Sequence, residues 1–166
     1  GVIHGVRAFT PILLAQDDGH IVNTASVAGL INPPSSAVYN VTKHAVVALS
    51  ETLHHDLGER NSKVGVSVLC PAYVPTGIAD SARNRPAALT NPEVAKSADQ
   101  LAREEMLRKA VMSGKVSAEQ VASAVVDAVK ENRFYILTHP RINGAIRARM
   151  EAIIAGRAPS HPMRDA

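Results

Sequence analysis

The sequence predicts an α/β fold in which a parallel sheet is covered by helices on both faces. Short segments typical of strands, at residues 20–26, 64–70 and 134–138, alternate with longer segments of helical apolar spacing. The strand segments are largely apolar throughout, which is typical of strands buried on both faces of a sheet. Such sheets bind their ligands beyond the carboxyl ends of their strands.

The first helix is predicted over residues 1–15, where Val2, Val6 and Phe9 share one apolar stripe. The first strand is predicted over residues 20–26, because the segment is short, contains adjacent β-branched residues and follows a turn signal. Small residues at its end allow other atoms to approach the carboxyl edge of the sheet closely.

A long helix is predicted over residues 36–57. Apolar residues nearly encircle it, so we expect burial on more than one side, against the sheet and against a second subunit. Gly58 is expected to cap its C-terminus. The second strand, residues 64–70, is expected to end at Pro71.

Residues 76–115 form a polar, loop-rich insertion, with one or two charged helices expected at 93–112. Two interpretations stay open, a lid over a bound substrate and a solvated surface excursion. We place the insertion inside one domain that covers residues 1–156.

Ser117 and Gln120 have the spacing of a capping box and predict the start of a further helix. The third strand, residues 134–138, precedes a final helix over residues 140–155. Three arginines of that helix are expected on its outer face, Arg141, Arg147 and Arg149. Residues 157–166 are expected to form a flexible tail.

Three polar residues are predicted to meet at the carboxyl edge of the sheet. Ser26 ends the first strand, and Tyr39 and Lys43 lie one helical turn apart. A phenol titrates near about pH 10, and a neighbouring cation favours the phenolate, which suits acid/base work on an alcohol or carbonyl oxygen. The hydroxyl of Ser26 is suited to donate a neutral hydrogen bond to the same oxygen. A single Tyr-x-x-x-Lys is common, and its place at the sheet edge is what favours catalysis.

The composition argues against several classes of protein. Aromatic residues make up 3% of the chain, which argues against base stacking on single-stranded nucleic acid. The net charge is +3 without a basic run, and no apolar run reaches the length of a transmembrane helix. The single cysteine, Cys70, fits a reducing compartment. We expect a cytoplasmic protein without a nucleic-acid or membrane partner.

Glu51 and His55 are spaced i, i+4 beside His54 and could be imagined as metal ligands. No third ligand stands at a familiar spacing, so a solvated helix end is the better interpretation and we predict no metal site. Cys70 is expected in the core, near the cofactor pocket. His44 is expected at an interface or on the surface.

Three segments resemble the short-chain dehydrogenase/reductase family, and the match covers nearly the whole chain. GHIVNTASVAG is similar to the serine strand of the family, with Ser26 thirteen residues before Tyr39. YNVTK is similar to its tyrosine–lysine motif, and CPAYVPT is similar to its Pro-Gly-x-Val-x-Thr segment. Each motif alone is weak, whereas three in order at the family's spacing are specific.

The resemblance implies a Rossmann fold and NAD- or NADP-dependent hydride transfer between a small-molecule alcohol and its carbonyl form. It implies that Tyr39 is the acid/base, that Lys43 assists it and binds the nicotinamide ribose, and that Ser26 orients the substrate. The cofactor-binding residues that it implies are Thr24, Tyr39, Lys43, Pro71, Ala72, Val74 and Thr76. It also suggests a homodimer or homotetramer.

The chain departs from the family's pattern in two ways. Ala72 stands where the family has glycine, and its methyl group leaves less space between the backbone and the cofactor. No glycine-rich strand–turn–helix that would hold a pyrophosphate occurs among the ten glycines, and the family's catalytic asparagine would precede Gly1. We therefore expect the chain to be the C-terminal half of a Rossmann domain. By itself it is expected to bind dinucleotide poorly and to turn over little.

Two other functions are compatible with these residues. A non-catalytic dinucleotide-binding or scaffold module could keep the fold, although it would have no need of Ser26, Tyr39 and Lys43 together. An epimerase or dehydratase could use the same Tyr–Lys pair, with a cofactor that is recycled without net redox change.

Overall fold

A computed structural model describes residues 1–90 and 95–162 of the chain. Its three strands are β1 (His20–Thr24), β2 (Gly65–Leu69) and β3 (Tyr135–Ile136). They form one parallel sheet in the order β1-β2-β3, with His20 opposite Gly65 and Leu69 opposite Ile136. The predicted parallel α/β fold is confirmed.

Five α-helices occur in the described residues: α1 (Val2–Gln16), α2 (Ala37–Glu59), α3 (Ala98–Met112), α4 (Ala118–Lys130) and α5 (Asn143–Ile154). Short 3₁₀ helices cover Val27–Gly29, Gly77–Asn84, Ala87–Leu89 and Pro140–Ile142. The predicted capping box at the start of α4 is confirmed, because Gln120 N donates to Ser117 Oγ and Ser117 N donates to Gln120 Oε1.

The chain divides into two compact units. The first contains residues 1–72 and 122–166 and therefore holds the sheet, and the second contains residues 73–121. The polar insertion predicted at residues 76–115 falls inside the second unit, and its role as a lid stays a prediction. The helix expected at 93–112 begins at Ala98 in the structure, and residues 93 and 94 lie outside the described residues.

The core is built around β2, which is buried along its whole length. α2 packs on the sheet through Val47, Leu53 and Leu57, which are among its buried residues. Two clusters result, one of Ala25, Leu30, Val47, Val68 and Cys70 and one of Leu53, Leu57, Val64 and Val66. Because α2 contributes to both clusters, its orientation on the sheet is fixed along most of its length.

Within the described residues α2 is covered on one side only, and its burial against a second subunit stays a prediction. Val38 is 80% exposed and Val41 is 69% exposed, and Ala45 and Ala48 are also exposed. These residues lie on one face at helical spacing. The sheet covers the opposite face, and no other described residue covers this one.

The C-terminus of α2 also differs from the prediction. Gly58 lies inside the helix rather than capping it, and the helix ends at Glu59. Asn61 takes the left-handed conformation at φ 53°, and Ser62 N then donates to Leu57 O at 3.1 Å. An asparagine therefore provides the reversal for which glycine was expected.

All three strands are shorter than predicted, and β2 lacks one residue at each end of the predicted range. β1 ends at Thr24, so Ser26 lies beyond the strand. β3 has two residues, and Ile136 lies opposite Leu69, the last residue of β2. The next donor toward β3, Ala72 N, bonds the side chain of His139 instead of a strand carbonyl. Tyr135 is exposed at this end of the sheet, while Ile136 is buried.

Arg149 does not lie on the outer face of the last helix as predicted. Ala145 and Ala152 are buried and lie on the same side of α5 as Arg149, so this side of the helix packs against other residues of the chain. Arg149 is half-buried there, and its Nη1 donates to Leu30 O at 3.2 Å. Residues 163–166 of the predicted tail lie outside the described residues, and its flexibility stays a prediction.

Within residues 1–90 and 95–162, no helix combines the length and the apolar character needed to cross a membrane.

Candidate active site

Ser26 lies just beyond the carboxyl end of β1 and is buried. It is the N-cap of the 3₁₀ helix Val27–Gly29, and its Oγ accepts a hydrogen bond from Ala28 N at 3.2 Å. The same Oγ donates to Pro71 O at 3.4 Å, longer than is usual between a hydroxyl and an oxygen acceptor. The serine proton is therefore weakly held and can be redirected to another oxygen that approaches it.

Lys43 links α2 to the end of β1. Its Nζ donates to Thr24 O at 3.1 Å and lies 5.6 Å from the ring centroid of Tyr39. Partial burial lowers the pKa of Lys43, an effect that the nearby Cys70 opposes. An anchored cation therefore stands at the sheet edge, beside the tyrosine.

Tyr39 occupies the first turn of α2 and is 41% exposed. Within the described residues, no protein group forms a hydrogen bond with its hydroxyl. The hydroxyl is therefore free to bind the oxygen of a substrate, while the ring is held next to the ammonium of Lys43.

The 3₁₀ helix that follows Ser26 packs tightly against α2. A Cβ atom built on Gly29 would lie 2.7 Å from Lys43 O and 2.9 Å from Val47 Cγ2, so only glycine fits at this contact. Asn40, in the first turn of α2, is buried, and its Nδ2 donates to Pro33 O at 2.9 Å. These contacts fix the loop that carries Ser26 against the helix that carries the other two predicted residues.

The Pro71–Ala72 segment lies at the same edge of the sheet. Pro71 O accepts hydrogen bonds from Val27 N at 3.0 Å and from Ser26 Oγ, and Ala72 N donates to Nδ1 of His139 at 3.1 Å. The other two residues of the predicted cofactor segment, Val74 and Thr76, belong to the second unit, and their role stays a prediction.

Cys70 is fully buried, in agreement with its predicted place in the core. Burial raises the pKa of its thiol to about 11, although the backbone N–H of Ser26 and the charge of Lys43 act in the opposite direction. The thiol therefore stays protonated near neutral pH and is a packing group rather than a nucleophile.

The described residues contain no cluster of three or more His, Cys, Asp or Glu side chains that could hold a metal ion. Glu51 accepts a hydrogen bond from the Tyr135 hydroxyl, and His54 packs on Phe134 with ring centroids 5.1 Å apart. Glu51 and His54 are thus engaged with residues around β3 rather than only with solvent. His44 is half-buried, and its Nδ1 lies 3.0 Å from Asn40 O.

His139 and Asn40 also lie at this edge or in the first turn of α2, and neither was predicted from the sequence as a site residue. His139 follows the carboxyl end of β3, and polar residues at this edge of a parallel sheet are candidates for the site. The same rule, applied to the third strand as to the first two, would have selected His139. Asn40 gives no such signal, because an asparagine in a helical turn usually faces solvent.

A sequence model of the family described as short chain dehydrogenase matches residues 1–87. This match covers β1 and the Ser26 that follows it, the helix that carries Tyr39 and Lys43, and the segment after β2, so it spans the predicted site. The chain belongs to the short-chain dehydrogenase family.

Curated relatives include a CLA biosynthesis dehydrogenase/reductase of Lactiplantibacillus plantarum, 31% identical over 166 residues, which cover 98% of this chain and 58% of that protein. A C alpha-dehydrogenase of a Sphingobium species is 29% identical over 160 residues, which cover 96% of this chain and 50% of that protein. This short-chain dehydrogenase chain spans about half the length of these relatives.

Among solved structures, a short chain dehydrogenase/reductase from Burkholderia phymatum in complex with NAD has a TM-score of 0.91 and 55% sequence identity. The alignment covers 96% of this short-chain dehydrogenase chain and 57% of that chain. The three-stranded parallel sheet with its flanking helices is therefore a known arrangement within the family.

Proposed function

We propose that the protein containing this chain is an NAD(P)-dependent oxidoreductase that interconverts an alcohol and a carbonyl compound by hydride transfer. In this proposal Tyr39 is the acid/base, Lys43 assists it and Ser26 orients the substrate oxygen. The observation that carries it is the Tyr39 hydroxyl, open to a substrate and held beside a cation that Thr24 O anchors. The family and the NAD complex of the B. phymatum relative support the same chemistry.

The proposed proton transfer follows from the contacts at the edge. The Tyr39 hydroxyl gives a proton to a carbonyl oxygen in reduction and takes one from an alcohol in oxidation. Lys43 favours the phenolate through its positive charge. Ser26 redirects its proton from Pro71 O to the substrate oxygen, which stabilises the negative charge that develops there.

The residues at this edge fit the nicotinamide end of NAD or NADP, which supplies or accepts the hydride when bound. Lys43 offers an ammonium donor next to Tyr39, which suits the hydroxyls of a ribose. The residues proposed to contact the cofactor are Thr24, Tyr39, Lys43, Pro71, Ala72, Val74 and Thr76. The methyl group of Ala72 leaves less room for the cofactor to approach the backbone of the Pro71–Ala72 segment.

The proposed partners are a small-molecule alcohol or carbonyl substrate and further copies of the chain. The exposed apolar face of α2, formed by Val38, Val41, Ala45 and Ala48, supports a homodimer or homotetramer. An exposed face of this kind on a helix otherwise packed on a sheet is typical of a subunit interface.

The test replaces Tyr39 by Phe in the protein encoded by the whole reading frame that contains this chain. Secondary alcohols are offered with NAD⁺ and with NADP⁺, and reduced nicotinamide is followed by absorbance. Tyr39→Phe is expected to lower kcat by about 10²-fold or more, because acid/base groups contribute on that scale. The melting temperature is expected to stay unchanged, since the hydroxyl makes no contact that stabilises the described residues.

Tyr135→Phe is the matched control. Tyr135 is 42% exposed, against 41% for Tyr39, and its hydroxyl bonds Glu51 rather than any residue of the proposed site. It should keep turnover within about twofold of wild type, as surface substitutions usually do. Equal turnover in wild type and Tyr39→Phe would overturn the proposed role of Tyr39. Wild-type protein that turns over no alcohol or carbonyl compound would favour the non-catalytic module.

A further inference from the structure

The Pro71–Ala72 peptide is held on both sides at the carboxyl edge of the sheet. Its carbonyl accepts hydrogen bonds from Val27 N at 3.0 Å and from Ser26 Oγ at 3.4 Å. Its N–H donates to Nδ1 of His139 at 3.1 Å. One peptide unit therefore connects the proposed catalytic serine with an imidazole that follows β3.

The imidazole of His139 occupies a place that a strand carbonyl would otherwise fill. Two hydrogen bonds set the alternation between the β2 and β3 segments, Val68 N to Phe134 O at 2.8 Å and Cys70 N to Ile136 O at 3.0 Å. Two residues further along, the next donor toward β3 is Ala72 N. Its acceptor is the side chain of His139, so the imidazole extends the ladder by one bond beyond the strand.

The partner of His139 determines the tautomer of its ring. A backbone N–H can only donate, so Nδ1 carries its lone pair and the neutral ring keeps its proton on Nε2. The Thr138 hydroxyl, 2.9 Å from the same nitrogen, is then a second donor. Nε2 is buried and has no hydrogen-bond partner among residues 1–90 and 95–162, so the ring acts on its described neighbours through Nδ1.

We propose that His139 is a positioning residue, whose Nδ1 fixes the Pro71–Ala72 peptide and thereby the direction of the Ser26 hydroxyl. This inference rests on the proposed function, in which Ser26 polarises the substrate oxygen. Without the acceptor, the peptide keeps only the hydrogen bonds that its carbonyl accepts from Val27 N and Ser26 Oγ. Its orientation is then less firmly fixed, and so is the position from which the Ser26 hydroxyl reaches a substrate oxygen. An oriented hydroxyl acts mainly on the transition state, so its loss lowers kcat more than it raises KM.

Three variants separate the hydrogen bond from the volume of the ring. His139→Asn places an amide oxygen close to the position of Nδ1 and keeps an acceptor for Ala72 N. His139→Gln has the same functional group one bond further out, closer to Nε2. His139→Leu removes the acceptor altogether. The Asn and Gln variants are matched in polarity, so their difference reports on the position of the acceptor.

Two measurements are made on the protein from the whole reading frame. The first is hydrogen–deuterium exchange of the Ala72 amide, resolved at single residues, in protein without cofactor. Exchange should be about tenfold faster or more in the Leu and Gln variants than in wild type and His139→Asn, as expected for loss of one hydrogen bond. The second is steady-state kinetics with the secondary alcohol that wild type oxidises fastest, where kcat should fall about tenfold in the same two variants with KM nearly unchanged.

Several results would overturn the inference. One is protection of the Ala72 amide that is the same in wild type, Gln and Leu variants. Another is an equal loss of kcat in the Asn and Gln variants, because it would show a requirement for the ring and not for the acceptor. If wild type has no turnover at all, the proposed function of the site is overturned. Loss of Ala72 protection in the Leu and Gln variants, with retention in Asn, would then still support the contact to the peptide.

Discussion

At the scale of single residues, burial decides the chemistry of the groups around the site. Lys43 and Cys70 lie near each other at the carboxyl edge, and desolvation lowers the pKa of the first and raises that of the second. Both shifts favour the neutral form of the side chain. The two side chains nevertheless differ in their surroundings, because Lys43 Nζ bonds Thr24 O and lies near Tyr39, whereas the thiol of Cys70 is enclosed.

Cys70 makes stability depend on pH in the alkaline range. The unfolded thiol has the ordinary pKa of 9.0 and the folded thiol a pKa of about 11, so the folded state binds the proton more tightly. This contribution is fully present below pH 9 and is lost as pH rises through 11. It amounts to about 3 kcal/mol at most, from roughly 1.4 kcal/mol for each pKa unit.

The measurement is urea unfolding of wild type and Cys70→Ala between neutral pH and the alkaline range. The difference in the free energy of unfolding should shrink or change sign as pH rises, because only wild type loses the contribution of the thiol. Burial, the main cause that raises the pKa of Tyr135 to about 12, is common to both proteins and cancels in the difference. The smaller effects of the Cys70 charge on the pKa values of Tyr135 and Lys43 are lost with the thiol and belong to its contribution. A difference that stays constant across this range would contradict the assignment.

At the scale of elements, the site depends on how closely the loop after β1 packs on α2. The contact of Gly29 with Lys43 O and Val47 sets this distance, and no other residue type leaves room for the backbone of the helix. The capping boxes of α3 and α4 act locally and leave the site alone, because they satisfy only the first amides of their own helices.

Two glycine-to-alanine substitutions are expected to have opposite effects on stability. Gly29→Ala places a methyl group 2.7 Å from Lys43 O and should lower the free energy of unfolding by about 1–3 kcal/mol, as overpacking does. Gly58→Ala lies within α2 with nothing within 4 Å of the new methyl group, and should raise it by about 0.5–1 kcal/mol. Chemical denaturation measures both. Equal effects of the two variants would show that the Gly29 contact does not constrain α2.

At the scale of the whole molecule, the described residues leave part of the apolar surface uncovered. The face of α2 that carries Val38 and Val41 is open, and Ile3, Phe9 and Ile12 are exposed on α1. Single apolar residues on a surface are ordinary, whereas a continuous face on a helix packed on the sheet is typical of an interface. This surface is the basis of the proposed oligomer.

Val41→Glu should shift the protein towards smaller species without unfolding it. Val41 is 69% exposed, so the carboxylate is hydrated in a single chain and is costly only when a second copy covers it. Val126→Glu, at a valine of α4 that is 51% exposed, is the control and should leave the association unchanged. Light scattering on size-separated protein reports the molar mass. The same mass for wild type and Val41→Glu would exclude this face as the interface.

The sequence alone was sufficient to predict the fold class and the order in which strands and helices follow one another along the chain, because apolar strands and amphipathic helices are local patterns. The Tyr39–Lys43 pair was predictable for the same reason, since helical spacing places the two residues side by side. Other features were not predictable in this way, because residues distant in sequence decide them. They are the lengths of β1 and β3, the asparagine at the end of α2 and the half-buried position of Arg149.

The tertiary structure alone decided what each candidate group touches. It joined Lys43 to Thr24 O across 19 residues and His139 to Ala72 N across 67 residues, contacts that no periodicity along the chain encodes. Hydrogen bonds of this kind depend on the register of the parallel strands and on where each strand stops. The sequence by itself therefore determined which residues could carry the chemistry. The packing of β1, β2 and α2 determined which of these residues lie close together.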